Sequence, residues 1–189
     1  MTYTIGLGIC GSFCTLNKII EVTKQIIKEG HKVIPVFSFS VANLNTRFIK
    51  ADEFKKIMAE ITGAEPIVSL QDAEPIGPKK LLDFMVVAPA TGNTLSKISA
   101  GISDTPVTLA VKAHLRNNKP VIIAVSTNDA LSGNAASIAN LLNRKNVYFV
   151  PFKQDDSLNK PCSLIANYDL ILDTVKEAEN HRQIQPIML

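Results

Sequence analysis

Six short runs built almost wholly from apolar residues, each separated from the next by a stretch of different periodicity, limit the fold of this chain more than any other feature. They cover residues 3–10, 31–38, 66–70, 84–88, 121–125 and 147–150. A strand with one wet face alternates apolar and polar residues, whereas strands apolar on both faces belong to a sheet covered on both sides. Between the first two runs, Leu16, Ile19, Ile20, Thr23, Ile26 and Ile27 recur at helical spacing up to Gly30, which is placed to end a helix. Phe48, Phe54, Ile57, Met58 and Ile61 mark a second helix that stops near Gly63. A third helical stretch begins around Thr94, is interrupted over residues 101–106 and runs on to Asn117; residues 135–142 and about 173–182 supply the last two. Apolar strands alternating with helices predict a doubly wound three-layer α/β/α sandwich around a parallel sheet, with right-handed crossovers. Residues 40–46, 75–78 and 153–161 read as polar or proline-rich connections.

The chain has 189 residues, 46% of them apolar, enough for one good core and too few for two ordinary domains, so a single domain over residues 1–189 is expected. The formal charge of +3 is spread without a long basic run, which argues against a nucleic-acid footprint. No apolar run is long enough to cross a bilayer, and the opening residues enter a strand pattern directly, so a cytoplasmic location is expected. Cys10, Cys14 and Cys162 show no metal-ligand spacing, and no metal site is expected. Buried or loop thiols without chemistry are the simpler reading, with Cys14 the candidate for a reactive thiol because it lies in a glycine loop ahead of a helix. His31, His114 and His181 are not placed as an obvious base.

In an open parallel sheet, ligands lie outside the carboxyl ends of the strands. The loop there after the first strand reads Gly8-Ile9-Cys10-Gly11-Ser12-Phe13-Cys14-Thr15. It lacks the glycine spacing of a dinucleotide fingerprint, and no acid ends the second strand to hold a ribose, so an ordinary NAD site is not expected. Ser12 and Thr15 are left to cap a helix or to meet phosphate. Ser38 ends the second strand; Arg47 and Lys79 are either carboxylate clamps or ordinary solvated charges. After the fourth run comes Pro89-Ala90-Thr91-Gly92-Asn93-Thr94-Leu95-Ser96-Lys97, small polar residues opening a helix whose free N–H groups and dipole favour an anion or an electron-rich ring oxygen. Ser126-Thr127-Asn128-Asp129 ends the fifth run, a polar cluster or a helix cap.

With these loops in view the sequence resembles the flavoprotein family that includes the cysteine decarboxylases of lantibiotic and coenzyme A synthesis. The resemblance rests on the glycine-serine loop, on the Pro-Ala-Ser/Thr-x-Asn-Thr-x-x-Lys motif at residues 89–97, and on Gly101-Ile102-Ser103-Asp104 after it. Within the family almost the whole chain is similar to the branch tied to dipicolinate formation in spore-forming bacteria. Residues 45–48, 73–79, 116–121, 126–131, 151–156 and 183–187 carry that similarity. Two decarboxylase features are missing: the segment just before the fourth run holds no histidine, and Ser126-Thr127-Asn128-Asp129 stands where those enzymes have Pro-x-Met-Asn. Peptidyl-cysteine decarboxylation is therefore not the expected reaction.

The resemblance implies a Rossmann-like flavoprotein fold, FMN as cofactor, and a homo-oligomer, a trimer or dodecamer with sites between chains. It also implies a share in oxidising dihydrodipicolinate, or its hydroxy-tetrahydro form, to dipicolinate in the mother cell during sporulation, with an NAD(P)-binding partner subunit. On that basis Gly11, Ser12 and Ser38 are expected to hold the phosphate and ribityl end of FMN. Ala90, Thr91, Asn93 and Thr94 would meet the ring or its chain, with Ser126 also on the cofactor side. Arg47, Lys79 and Asn128 would bind substrate carboxylates, and Asp129 would remove a proton or cap the next helix. The alternatives are a substrate-binding or assembly component without a redox cofactor, and a flavin-dependent decarboxylase acting alone.

Overall fold

The computed structural model describes residues 1–189. The sheet runs in the order β2 (Lys32–Phe37), β1 (Thr4–Ile9), β3 (Phe84–Ala90), β4 (Val121–Thr127), β7 (Lys160–Ala166), β6 (Phe152–Asp156), with β5 (Val147–Phe149) also against β4. Its parallel part consists of β1, β2, β3, β4 and β5. Every residue of β3 is buried, as its apolar sequence requires of a strand with helices on both faces. β2 lies on one side of β1, and the chain crosses from β2 to β3 on the other side, so the switch point of the sheet lies at the carboxyl ends of β1 and β3.

The helices follow their predicted faces. In α1 (Leu16–Lys28), Leu16, Ile19, Val22, Thr23 and Ile26 are buried, and Gly30, at φ +88°, ends the turn after it. After the short α2 (Phe39–Asn43), α3 (Ala51–Thr62) buries Phe54 and Met58 and stops at left-handed Gly63. The predicted Phe48 lies ahead of that helix and is exposed. The third helical stretch is two helices, α5 (Gly92–Ser99) and α6 (Pro106–Arg116), divided by left-handed Gly101 and restarted by a Thr105–Thr108 capping box with Pro106 behind it. Then come α7 (Ala135–Leu142) and α8 (Ile171–Glu179).

Three segments differ from the sequence expectation. Residues 40–43, expected in a polar connection, belong to the short helix α2. Residues 66–70 form no strand: one bridge joins Ile67 to Val36, Pro66 has no N–H to extend it, and Ser69 caps α4 (Leu70–Ala73) by accepting from the Asp72 N–H at 3.1 Å. Residues 153–161, expected to be a loop, form a hairpin of β6 (Phe152–Asp156) and β7 (Lys160–Ala166). β7 lies antiparallel on the last residues of β4, pairing Ser126 with Ile165 and Thr127 with Leu164, so the sheet is mixed at this edge. The hairpin therefore rises beside the carboxyl end of β4, where it walls the site.

Candidate functional site at the carboxyl ends of β1, β3 and β4

A cleft of about 630 Å³ opens at the switch point, lined by thirteen residues from the β1 loop, the start of α5, the β4 loop and the hairpin. Its floor is set by the hydroxyls of Ser12 and Ser126, 2.8 Å apart. Behind them Thr15 Oγ1 donates to the Ser12 carbonyl at 2.7 Å, which fixes the turn into α1. Burial pushes the Tyr168 phenol up in pKa, with the neighbouring Ser126 and Thr15 hydroxyls acting the other way, and its oxygen has no well-formed hydrogen bond.

One wall is the N-terminus of α5. Its N-cap residue, Thr91, does not cap with its side chain; the Thr91 hydroxyl turns instead to Thr94 Oγ1 at 3.2 Å. The first amides of α5 are thus left to a ligand or to water, at the positive end of the helix dipole. Thr94 is buried and donates to Cys10 Sγ at 3.2 Å. Burial holds the Cys10 thiol up at about 11, with Thr94 opposing that shift. Lys97, the last residue of the motif, reaches back to Asp104 at 2.8 Å and holds that carboxyl below its ordinary range. It therefore braces the end of α5.

The opposite wall is the β4 loop. Thr127 Oγ1 donates to Asp129 Oδ1 at 2.5 Å, and Asn134 Nδ2 donates to Asp129 Oδ2 at 2.6 Å. Asn134 Oδ1 in turn accepts from Ser96 Oγ at 2.6 Å, which ties this wall to α5. Gly92 sits against the same cluster so closely that a Cβ there would lie 2.7 Å from Asp129 Oδ1 and 2.8 Å from Thr127 Oγ1. The hairpin adds Ser163 and the Lys160–Asp155 ion pair at 2.7 Å, in which Asp155 raises the lysine's pKa.

Gly11, Ser12, Thr91, Asn93, Ser126, Asn128 and Asp129, all expected at the site, line this one cleft. The structure does not bring five others to its surface. Ser38 is buried as the N-cap of α2, Ala90 is fully enclosed in β3, and Thr94 faces Cys10. Arg47 lies in the exposed loop between α2 and α3, its guanidinium 4.8 Å from the Phe48 ring centre. Lys79 lies ahead of β3, near the C-terminus of α6 at the amino ends of the strands, because Asn117 holds the Gly77 carbonyl at 2.9 Å. Asp129 does not cap α7: the N-cap position belongs to Asn134. Sequence reasoning missed Lys160, which lies in the segment it took for a loop, Ser163 just beyond that segment, and Gly92, whose absent side chain gives no pattern.

The Flavoprotein family model matches residues 1–177. The chain belongs to the Flavoprotein family. It is 44% identical over 185 residues to the B subunit of dipicolinate synthase of Bacillus subtilis (strain 168), an alignment covering 98% of this chain and 92% of that protein. Among solved structures, the B subunit of dipicolinate synthase from Bacillus halodurans superposes with a TM-score of 0.91 at 38% identity, over 99% of this chain and 96% of the other. The FMN-dependent cysteine decarboxylase SpaF shares the fold alone, with a TM-score of 0.65 at 16% identity over 94% of this chain and 96% of its own. The mostly parallel sheet with helices on both faces is thus the family's Rossmann-like α/β fold.

The family implies a flavin, and the cleft accommodates one in two respects. Its volume lies in the range of roughly 300–1,000 Å³ usual for cofactor sites. Its donors also suit a phosphate and a polyol: uncapped α5 amides, the Ser12 and Ser126 hydroxyls, and the amides of Asn93 and Asn128.

Proposed function

We propose that this protein is the flavin-binding component of a dipicolinate synthase. In this reading it binds FMN in the cleft and takes part, with the NAD(P)-binding A subunit, in oxidising dihydrodipicolinate to dipicolinate during sporulation. The single observation that supports this best is the convergence of the Ser12 loop, the uncapped start of α5 and the Ser126–Asp129 loop on one cleft. The 44% identity to a dipicolinate synthase B chain supports the substrate and the partner. The reaction removes a hydride and a proton from the dihydropyridine ring and leaves an aromatic pyridine; a hydroxy-tetrahydro substrate first loses water. FMN, when bound, supplies a two-electron acceptor.

The chain's own residues bind and orient. Ser12 and the α5 amides hold the phosphate end, Thr91 and Asn93 meet the cofactor's chain or ring, and Asn128 donates to a substrate carboxylate. Lys160 is the one Lys or Arg lining the cleft, and Asp155 already neutralises it, so a dianion needs further cations. Arg47, exposed in the loop that follows β2 and α2, is available to a substrate held between copies of the chain in a homo-oligomer. Lys79, at the opposite end of the strands, has no part in this reading of the cleft.

One observation favours a second reading, a substrate-binding component without flavin. No aromatic or branched aliphatic side chain lines the cleft, so within one chain a flavin ring would rest on backbone and small polar groups. The deciding experiment is the visible spectrum of purified protein before and after FMN is added and excess is removed by gel filtration. Flavin retained at near one per chain, and bleached by dihydrodipicolinate, supports the first reading. Colourless protein that cannot be reconstituted moves the redox step to the partner.

A further inference from the structure

We propose that Asp129 is a positioning residue: with Asn134 it forms the joint that locks the start of α5 to the loop carrying Asn128, so that the two walls of the cleft move as one. This deepens the reading above and rests on it for its catalytic consequence. Both carboxylate oxygens already accept short hydrogen bonds from neutral donors, Thr127 at 2.5 Å and Asn134 at 2.6 Å. The Asp129 carbonyl accepts from the Ser132 and Asn134 N–H groups at 3.1 and 3.0 Å, which closes the turn on itself. Asn134, only 7% exposed, passes the connection to Ser96 on α5, whose hydroxyl also lies 3.2 Å from Ser137 on α7.

Gly92 completes the joint. It is the first residue of α5 and packs directly on Asp129, Thr127 and Asn134 with no space for a side chain. A general base needs a lone pair free to reach the substrate proton. Here one acceptor site on each oxygen is filled from within the fold, and Gly92 packs against the Oδ1 side of the carboxylate. The charge shortens the two bonds, since a carboxylate accepts more strongly than an amide carbonyl. The joint thus sets the distance between the α5 amides and Asn128, the two groups assigned to cofactor and substrate.

The experiment uses the full chain and four variants: Asp129→Ala, Asp129→Asn, Asn134→Asp and the double exchange Asp129→Asn/Asn134→Asp. In the double exchange, the amide introduced at position 129 would still accept from Thr127 and would donate to the carboxylate introduced at position 134. That carboxylate would accept from Ser96, so the connection is rebuilt with the charge moved along it by one member. Thermal midpoints of the flavin-free proteins read the joint directly. Asp129→Ala and Asn134→Asp should fall by about 3–6 °C, the second through two facing carboxylates, and the double exchange should recover most of that loss. FMN affinity, read by fluorescence quenching, should drop about tenfold in Asp129→Ala and return to within about threefold of wild type in the exchange. The pH profile of substrate-driven flavin reduction should keep its shape in the exchange.

A double exchange as unstable as its single variants overturns the joint. Recovery of stability and FMN affinity with reduction abolished at every pH overturns the positioning role and makes Asp129 the proton acceptor. Wild-type protein that binds no FMN counts against the proposed function, while the flavin-free midpoints still decide the joint.

Discussion

The hydroxyls of Ser12 and Ser126, 114 residues apart in sequence, meet at 2.8 Å across the carboxyl ends of β1 and β4. Since a hydroxyl both donates and accepts, this contact fixes one proton between them and leaves the other free to point into the cleft. Replacing Ser126 by Ala removes the partner without opening the fold. FMN affinity should fall about fivefold, the value of one neutral hydrogen bond of about 1 kcal/mol. Equilibrium titration of flavin fluorescence checks it, and an unchanged affinity would remove the pair from the binding site.

Gly92 gives a sharper test, because its neighbours are held by other bonds. A Cβ placed 2.7 Å from Asp129 Oδ1 must push the start of α5 away from the β4 loop. Gly92→Ala should therefore cost about 1–3 kcal/mol, the usual range for overpacking, and lose flavin retention. Helix propensity alone predicts the reverse, since alanine favours a helix over glycine by about 1 kcal/mol. Urea denaturation distinguishes the two by the sign of the change.

The cysteines should separate by reactivity. Cys10 is buried, its thiol held near 11, whereas Cys14 is exposed and lines the cleft beside Ser12. Since the thiolate is the reacting form, iodoacetamide on native protein should label Cys14 and leave Cys10 untouched until denaturant is added. Bound FMN should slow the labelling of Cys14. Peptide mapping by mass spectrometry reads both effects, and rapid labelling of Cys10 would mean that β1 opens far more readily than its burial suggests.

The sheet was legible because burial on both faces leaves β1 to β4 almost without polar residues, and the helices because Leu16 to Ile27 keep a helical stripe against it. The hairpin was not, since Lys153, Gln154 and Asp155 are all exposed on an edge strand, where backbone pairing rather than side-chain pattern makes the structure. The same cause hid Lys160 from the site, while Ser163, just past the expected loop, lies in no motif. Ser12, Thr91, Asn93 and Asn128 were legible because strand ends followed by small polar residues mark the cleft of any such fold. Lys79 was misleading because a cationic side chain in a proline-rich loop carries no sign of which end of the sheet that loop occupies. Asp129 needed coordinates: sequence spacing cannot show that Asn134 and Thr127 already occupy its oxygens.

His114 links the fold to pH. It lies in the last turn of α6, 2% exposed, with Nε2 lacking a hydrogen-bond partner. Burial first, and the Lys119 charge second, hold its imidazole down at about 4, against the opposing pull of Asp83 and the Pro120 backbone. The unfolded chain takes up this proton near its ordinary value of about 6.5. The folded state therefore binds fewer protons between about 6.5 and 4, and stability is full above that window and falls as pH drops through it. At about pH 5 the loss should reach about 2 kcal/mol relative to neutral pH. Carboxylates elsewhere titrate in the same range, so the measurement is the difference between wild type and His114→Gln in urea denaturation at several pH values. The wild-type curve should fall relative to the variant as the solution is acidified from about pH 7 to 5, and parallel curves would mean that His114 is protonated as readily inside the fold as outside it.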